Sequence, residues 1–299
     1  MMVRGPKGHA GLGGGTDLPV LLPAAERLQR RSERERLLGA PRLRLRGRDL
    51  AWLCLMLICF TGYAEAQAAA AGREPISIAL LRWVPLLFQG FVFNIVISVL
   101  SMALGTVLGV VLGLMQISLL PPIRFSSWFV TQFFRNAPWL VLLFYCIFLL
   151  PFEIRAFGMR IPFPDWIKAI IGLSLPVMAN VSEIVRGAVR SIPSGQWEAA
   201  ESLAFNRNQT IWKIILPQCV KRMLPPWMNL YAILTMATVL ASIVGVSEVM
   251  TLARRVLAAE VRNDLLIPLY GMILVWFFVY CYPIARLTQW LERRYAVKL

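Results

Sequence analysis

Residues 83–123 read WVPLLFQGFVFNIVISVLSMALGTVLGVVLGLMQISLLPPI and contain no Asp, Glu, Lys or Arg. A helix needs roughly 20 predominantly apolar residues to cross the hydrocarbon core of a bilayer, so this run is long enough to span it. The runs 223–247 and 265–285 also lack charge and are long enough. Across the 299 residues the hydrophobic fraction is 58%, which leaves too little polar surface for a soluble domain.

Two further charge-free runs, 136–152 and 169–182, reach a spanning length only if they include charged neighbours, Arg135 for the first and Glu183 with Arg186 for the second. The runs lack the alternation of apolar and polar residues that transmembrane β-strands require, and helices are the remaining structure that satisfies the backbone in lipid. The sequence therefore predicts an all-α integral membrane protein with five core transmembrane helices, near 86–116, 125–150, 166–189, 224–246 and 265–287.

The first 49 residues form a basic arm with eleven of the 31 Lys and Arg residues. We expect this arm to be disordered or to contact acidic lipid headgroups, in preference to nucleic acid. Residues 50–72 begin with a short apolar run and continue into small residues, a pattern typical of a secretory signal or an anchoring helix. For the arm, a start codon downstream of it would also explain its composition. For residues 50–72, the sequence fits both cleavage of the segment and its retention as a sixth helix.

Either fate of that segment places the residues around Arg73 outside the cell. Alternation then places on the cytoplasmic side 117–124, 190–223 and the tail from Arg286, and outside 151–165 and 247–264. The inner segments carry ten Lys or Arg residues against eight in the outer ones, where Arg82 and Lys168 at the adjoining span ends are counted as outer. This difference agrees in direction with the positive-inside rule.

The largest predicted cytoplasmic loop contains SGQWEAAESLAFNRNQTIWKIILPQ, residues 194–218, a polar stretch in an apolar chain. Ser194 is a suitable N-cap for a helix. Asn206 to Gln209 should break that helix, and Pro217 should end a second short amphipathic piece. Such a loop fits either a docking site for another protein or a segment packed on its own membrane domain. The predicted apolar face consists of Trp197, Ala200, Leu203 and Ala204.

The stretch WEAAESLAFNRNQTIWKIILP resembles the EAA loop of ABC-transporter permease subunits. That pattern is Glu-Ala-Ala, three residues, Gly, nine residues, then Ile-x-Leu-Pro. The chain keeps the spacing from Glu198 to Pro217, but Ala204 replaces the Gly. If this Gly serves a left-handed turn, Ala would strain it, whereas close packing would tolerate Ala.

The similarity runs from about residue 86 to 294 and is strongest to the permeases for polar amino acids such as His, Glu, Gln, Arg and opines. It is carried by FFRNAPWLVLLF (133–144), SEIVRGAVRSIPSGQWEAA (182–200) and LASIVGVSEV (240–249). Met236 and Ala237 depart from the pattern, because many members have Lys-Asp there.

The resemblance implies a permease subunit of an ATP-driven importer that moves polar amino acids across the inner (plasma) membrane by alternating access. Its implied partners are two cytoplasmic ABC ATPases, a second permease that is identical or similar, an external substrate-binding protein and membrane lipid, but no nucleic acid. The subunit would be no enzyme and bind no cofactor, since its partner uses the ATP. In agreement, the sequence contains no G-x-x-x-x-G-K-[ST] phosphate loop. No catalytic or metal-binding residue is predicted.

Two groups of site residues follow. The resemblance implies that the EAA loop contacts the ATPase through Gln196, Trp197, Glu198, Ala199, Ala200, Glu201, Leu203, Ala204 and Arg207. Polar groups at membrane depth are candidates for a substrate path, and here they are Arg135, Asn180, Glu183 and Thr238. A bracing role is the alternative for Arg135, and also for Glu183, which can pair with Arg186 on one helix face.

Gly105, Gly109 and Gly113 repeat every four residues in the first span. Small residues at this spacing allow another helix to approach closely. We expect that helix to belong to the same chain in preference to a second copy.

Two other functions stay open. One is an ABC permease for an opine or another small solute, because the charged pair at 236–237 is missing. The other is a membrane anchor or interaction protein that transports nothing. An intramembrane enzyme is disfavoured, since the single histidine is His9 and the spans show no catalytic spacing of Ser, Asp or Glu.

Overall fold

The computed structural model describes residues 74–156 and 159–295, together with Gly62, Glu65 and Gly72. The predictions for the arm 1–49 and for 50–72 as a continuous segment lie outside the described residues. In chain order the elements are α1 (Ile76–Gln116), α2 (Pro121–Asn136), α3 (Trp139–Leu149), β1 (Glu153–Ala156), β2 (Met159–Pro162), α4 (Asp165–Arg190), α5 (Ser194–Ser202), α6 (Arg207–Gln209), a π-helix (Thr210–Ile215), α7 (Leu216–Ala237), a 3₁₀-helix (Thr238–Ser242), α8 (Val249–Glu260), a 3₁₀-helix (Asn263–Leu265) and α9 (Leu266–Tyr295).

Four helical stretches are long and apolar enough to cross a membrane: Ile76–Gln116, Asp165–Arg190, Arg207–Ser242 and Asn263–Arg294. The bent pair of α2 and α3 adds a fifth crossing if it counts as one span. The described residues thus confirm an all-α membrane protein and four of the predicted spans as continuous helical stretches.

The predicted second span, 125–150, is wrong as a single straight helix. The chain bends by 105° between α2 and α3. Ala137 has φ −75° and ψ 138°, and Pro138 has φ −62° and ψ 129°, so both leave the helical region. Proline disfavours helical geometry at the preceding residue and provides no N–H for the helix, and both effects favour a break here.

A short hairpin follows α3, in a segment for which the sequence predicted only a loop. Strands β1 and β2 pair antiparallel, with Glu153 opposite Pro162. Beside the hairpin, the buried ammonium of Lys168 lies 3.1 Å from a carboxylate oxygen of Asp165 and 3.5 Å from the centre of the Phe152 ring. These contacts attach the segment before the hairpin to the start of α4.

The main core forms where α1 packs along α4. A Cβ atom at Gly105 would lie 2.5 Å from Val177 Cγ1, and one at Gly109 would lie 2.6 Å from the Met178 carbonyl oxygen. A Cβ at Gly113 would lie 2.8 Å from Val185 Cβ. The glycine stripe therefore packs within the chain, which confirms the expectation for these residues.

A second apolar cluster joins the first half of α1 to α8 and α9. Phe91 packs edge-to-face on Phe277, with ring centroids 5.1 Å apart. Gly90 allows α8 to approach, because a Cβ there would lie 2.8 Å from the Cα of Val249. Large apolar side chains such as Val107 and Leu274 are exposed on the outer faces of the helices, as expected for surfaces in contact with lipid.

The polar loop runs into α7 without an end at Pro217, so the prediction that Pro217 ends a helix is wrong. The π-helix Thr210–Ile215 precedes α7, and Pro217 falls in the first turn of α7. Pro217 removes one backbone N–H from this continuous stretch, and the change from π-helical to α-helical pairing falls at the same place.

Candidate functional site

The polar loop presents α5 between the end of α4 and the π-helix. Ser194 is the first residue of α5 and not its cap: the N-cap is Pro193, and no side chain caps the helix. Ala200 is buried, and the half-buried ring of Trp197 packs against an apolar cluster that contains Ile192 and Ile215. One side of α5 is therefore held on the membrane domain.

The C-terminus of α5 closes with a left-handed turn at Ala204, whose φ is +57°. The N–H of Phe205 donates to the carbonyl of Ala200 at 3.1 Å, and the N–H of Ala204 donates to that of Glu201 at 2.9 Å. This is a Schellman motif, in which glycine is the preferred residue at the left-handed position. The Gly of the EAA pattern thus corresponds to a turn position, and alanine is strained in it.

The other side of α5 is exposed and acidic. Glu198, Ala199 and Glu201 face outward, and Leu203 is 71% exposed. The sequence predicted one shared apolar face for Trp197, Ala200, Leu203 and Ala204. The structure confirms this face for Trp197 and Ala200, but the prediction is wrong for Leu203 and Ala204. Leu203 is the C-cap and Ala204 is left-handed, so neither continues the helical phase of the earlier two.

Three polar contacts tie the loop to the ends of the long helices. Arg207 Nη2 donates to the carbonyl of Ile117, which follows α1, at 3.1 Å. Gln218 Nε2 donates to Gln196 Oε1 at 3.3 Å, which links α7 to α5. Arg222 Nη1 donates to Ser191 Oγ at 2.8 Å, which links α7 to the end of α4. These contacts join the loop to α1, α4 and α7.

A polar cavity of about 520 Å³ lies between α2, α4 and α7, and we call it the polar cavity. Three of the four predicted path residues, Arg135, Asn180 and Glu183, line it. Arg222 and Asn229 line it too. From the sequence, Asn229 is one of several polar residues inside spans among which no choice was possible, and Arg222 was not predicted to face the path. The two lie seven residues apart on one face of α7, and this helical spacing is a signal that could have found them.

Glu183, in the polar cavity, forms ion pairs with two arginines. Arg186 pairs with Glu183 one turn away, as the sequence predicted, and Arg135 Nη1 lies 3.7 Å from Glu183 Oε2. The second carboxylate oxygen of Glu183, Oε1, is buried and has no hydrogen-bond partner among the described residues. Asn180 Nδ2 donates to the carbonyl of Pro176 at 2.8 Å, which leaves its side-chain oxygen free to accept. The polar cavity thus offers cationic, anionic and neutral polar groups together.

The fourth predicted path residue, Thr238, does not line the polar cavity. It is buried beside α1, where Asn94 Nδ2 donates to Thr238 Oγ1 at 3.0 Å and to Glu248 Oε2 at 2.9 Å. Glu248 also accepts from the N–H of Thr251 at 3.0 Å and so caps α8. The structure therefore places Thr238 in a network that joins α1 to α8.

Glu248 lies in the connection between two spans and is fully buried. Burial raises the pKa of its carboxyl, and hydrogen bonds from Asn94, Met250 and Thr251 oppose that rise. Sequence reasoning missed this residue. Glu is not among the preferred N-cap residues, so the local sequence provided no capping signal.

Residues 105–297 match the protein family described as binding-protein-dependent transport system inner membrane component. The chain belongs to this family. It is therefore a permease subunit, a transport component and a multi-pass protein of the inner membrane, in agreement with its spans. The resemblance inferred from the EAA loop is confirmed.

Two relatives from Bacillus subtilis (strain 168) match this permease over most of their length. The L-cystine transport system permease protein TcyB is 31% identical over 211 residues, 70% of this chain and 86% of TcyB. The probable amino-acid ABC transporter permease protein YckA is 33% identical over 212 residues, 71% of this chain and 90% of YckA.

A solved structure shows the same fold as this permease. It is the crystal structure of an amino acid ABC transporter with histidines, with a TM-score of 0.63 at 24% identity. The match covers 73% of this chain and 97% of that chain.

Proposed function

We propose that this permease moves polar amino acids into the cell, and that the polar cavity receives the amino acid on its way. The observation that carries the proposal is the presence of both charge signs in one cavity. Arg135 and Arg222 can attract an α-carboxylate, and Glu183 can accept from an α-ammonium. A volume of about 520 Å³ lies in the range of small-molecule sites. The names of TcyB and YckA support a substrate of this class.

Glu183 is suited to an ammonium because its Oε1 atom has no partner among the described residues. A buried acceptor without a donor costs free energy, and a bound ammonium would supply that donor. Arg135 shares Glu183 with Arg186, so its guanidinium retains donors for a carboxylate. An opine carries the same amino-acid group with a further carboxylate, and the two arginines suit it equally.

Movement through the permease is driven by alternating access in this proposal. Two cytoplasmic ABC ATPases dock on the exposed side of α5, around Glu198 and Glu201, and use the ATP, while this chain binds no cofactor. When ATP closes the ATPases, α5 moves with them. The contacts of Arg207, Gln196 and Arg222 pull on the ends of α1, α7 and α4, and the polar cavity opens to the other side of the membrane.

Two further partners complete the proposed importer. Among the described residues, those lining the polar cavity belong to α2, α4 with its C-cap Ser191, and α7. A second permease, identical or similar, would close its remaining side. An external substrate-binding protein would deliver the amino acid to the surface that contains the β1–β2 hairpin.

The test is uptake by cells that express the chain with its native partner subunits. A panel of labelled His, Glu, Gln, Arg, cystine, an opine and a sugar identifies the substrate class. We expect uptake of at least one compound with α-amino and α-carboxylate groups. Sugar uptake alone would contradict the proposal, and uptake of nothing in the panel would favour a non-transporting anchor.

The variant Glu183→Gln tests the role of the polar cavity independently of substrate delivery by the binding protein. It leaves the binding protein unchanged, so reduced uptake at saturating substrate must come from the permease. We expect a loss of at least about tenfold, since one charged hydrogen bond contributes about 1.5–3 kcal/mol. Glu292→Gln, an exposed carboxylate near the end of α9, is the matched control and should transport normally.

A further inference from the structure

A second cleft, of about 440 Å³, lies where the end of α1, the start of α2 and the end of α4 meet, and we call it the basic cleft. Three arginines line it: Arg124, Arg186 and Arg190. The aromatic rings of Phe125 and Trp128 line it beside them, and none of the described residues that line it has a carboxylate. Neither the transport cycle nor the EAA loop accounts for such a group of cations.

Most of this positive charge is not neutralised by the protein. The guanidinium groups of Arg124 and Arg190 are exposed and make no ion pair or hydrogen bond with any described residue. Arg186 pairs with Glu183 through one nitrogen, but its Nε atom is buried and has no acceptor among the described residues. Three cations held in one cleft repel each other, and a bound anion would remove that repulsion.

The floor of the basic cleft is rigid, because the buried side chain of Gln116 joins its three helices. Gln116 Nε2 donates to Thr131 Oγ1 on α2 and to Ser182 Oγ on α4, both at 2.9 Å. The hydroxyls of Thr131 and Ser182 lie 2.8 Å apart. The backbone positions of the arginines are therefore fixed relative to each other, which favours recognition of one anion over loose attraction of many.

The surface beside the arginines is apolar and aromatic. Phe125 is 66% exposed and Trp128 is 45% exposed, and Phe129 on the same helix is also exposed. Aromatic rings next to basic residues are typical of helices at the boundary between headgroups and acyl chains. A free anion would gain nothing from these rings, whereas a lipid would place its acyl chains against them.

We propose that the basic cleft binds the phosphate of an anionic phospholipid. The guanidinium groups of Arg124, Arg186 and Arg190 hold the phosphate oxygens, a pairing for which arginine is well suited. The acyl chains lie against Phe125 and Trp128. The basic cleft is at the end of the helices that carries α5, which we expect on the cytoplasmic side, so the lipid belongs to the inner leaflet. This proposal does not depend on the transported substrate.

The test is native mass spectrometry of the purified full-length chain, titrated with phosphatidylglycerol or with phosphatidylcholine of the same acyl chains. We expect phosphatidylglycerol to bind more tightly. Each basic residue near an anionic lipid surface strengthens the attraction about fivefold. Arg124→Gln combined with Arg190→Gln should therefore weaken phosphatidylglycerol binding about 30-fold. Arg124→Gln alone, at an exposed position, should weaken it about fivefold.

The matched control is Arg286→Gln combined with Arg293→Gln, two exposed arginines at the same end of the helices. It removes the same charge and should leave the affinity unchanged. Equal affinity for the two lipids, or an equal loss in the control, would overturn the proposal. Displacement of the lipid by inorganic phosphate at matching concentration would assign the basic cleft to a soluble anion and also overturn it. Arg124→Lys with Arg190→Lys should retain part of the affinity.

Discussion

Ala204 shows how a single residue sets the shape of the EAA loop. It holds a left-handed conformation, with φ +57°, at the end of α5. A Cβ atom in this conformation costs about 1–2 kcal/mol, which glycine avoids. The loop keeps its turn in spite of that cost because the Schellman hydrogen bonds from Ala204 and Phe205 hold it.

Replacing Ala204 by Gly should therefore stabilise the protein. We expect a gain of about 1 kcal/mol, reduced somewhat by the greater freedom of glycine in the unfolded chain. Thermal unfolding of the purified protein measures it. The control is Ala199→Gly, the same substitution at an exposed position inside α5, which should lose about 1 kcal/mol. If both substitutions changed the free energy of unfolding in the same direction, the role assigned to the left-handed turn would be refuted.

Glu248 should make the stability of the protein depend on pH. It is buried, and none of the described groups that hydrogen-bond to it is a cation. Burial raises its pKa in the folded protein. The folded state therefore binds a proton more tightly than the unfolded state. The resulting stability is fully present below the ordinary glutamate pKa and is lost as pH rises through the folded pKa.

The variant Glu248→Gln cannot titrate and should lack this component. We expect the free energy of unfolding of the wild type, relative to Glu248→Gln, to fall as pH rises from about 4 to about 8. Thermal unfolding across that range measures the difference. Glu201→Gln removes an exposed carboxylate and serves as the control. A difference between wild type and Glu248→Gln that does not vary with pH would show that Glu248 is not buried in this way.

Among the helices, the contact between α1 and α4 depends on the absence of side chains at three glycines. A Cβ at Gly109 would lie 2.6 Å from a backbone oxygen, and backbone cannot move aside as a side-chain end can. Small residues thus bring the two backbones together, and dispersion between them replaces the hydrophobic driving force that is missing in lipid.

Gly109→Ala should force α1 away from α4. Overpacking of this kind costs about 1–3 kcal/mol, and a lower unfolding temperature in detergent would reveal it. Gly187→Ala is the natural comparison, since a Cβ added at Gly187, inside α4, would meet no atom of the described residues within 4 Å. That variant should gain up to about 1 kcal/mol from helix propensity. If both variants behave alike, the glycine seam is not tight.

In the proposed mechanism, helix α5 is the element that couples the permease to the ATPases. Its exposed carboxylates are the groups available to an ATPase, while Ala200 and Trp197 hold it in place. Glu198→Lys should abolish ATP-dependent uptake and leave the amount of protein in the membrane unchanged, because only the docking surface is altered. Glu292→Lys makes the same charge change at an exposed site on α9 and should transport normally. Normal uptake by Glu198→Lys would argue against docking on α5.

For the whole molecule, the side of the membrane on which each loop lies follows from the order of the spans. A chain whose five cysteines are changed to Ser can carry one new cysteine at a time. A maleimide that does not cross membranes should label Ser247→Cys in intact cells, and should label Ser202→Cys only after lysis. The reverse pattern would invert the topology and remove α5 from the reach of cytoplasmic ATPases.

The sequence by itself determined the membrane class, four continuous spans and the EAA loop. Each of these depends on residues close together in the chain: a spanning helix on the length of an apolar run, and the loop on the spacing from Glu198 to Pro217. The second span was predicted as one helix in spite of Pro138, and only the structure shows that the chain turns by 105° there. The glycine stripe indicated a close helix contact before its partner, α4, was known.

Only the tertiary structure decided which polar groups meet. Arg222 and Asn229 share the polar cavity with Glu183. Thr238 instead accepts from Asn94, which lies 144 residues away in the chain and also donates to Glu248. The structure also shows that Leu203 is exposed and that Arg124 on α2 and Arg190 on α4 line the same cleft. The physical reason is that helical periodicity fixes the face of a residue within its own helix, whereas the angle and contact line between helices arise from packing of the whole bundle.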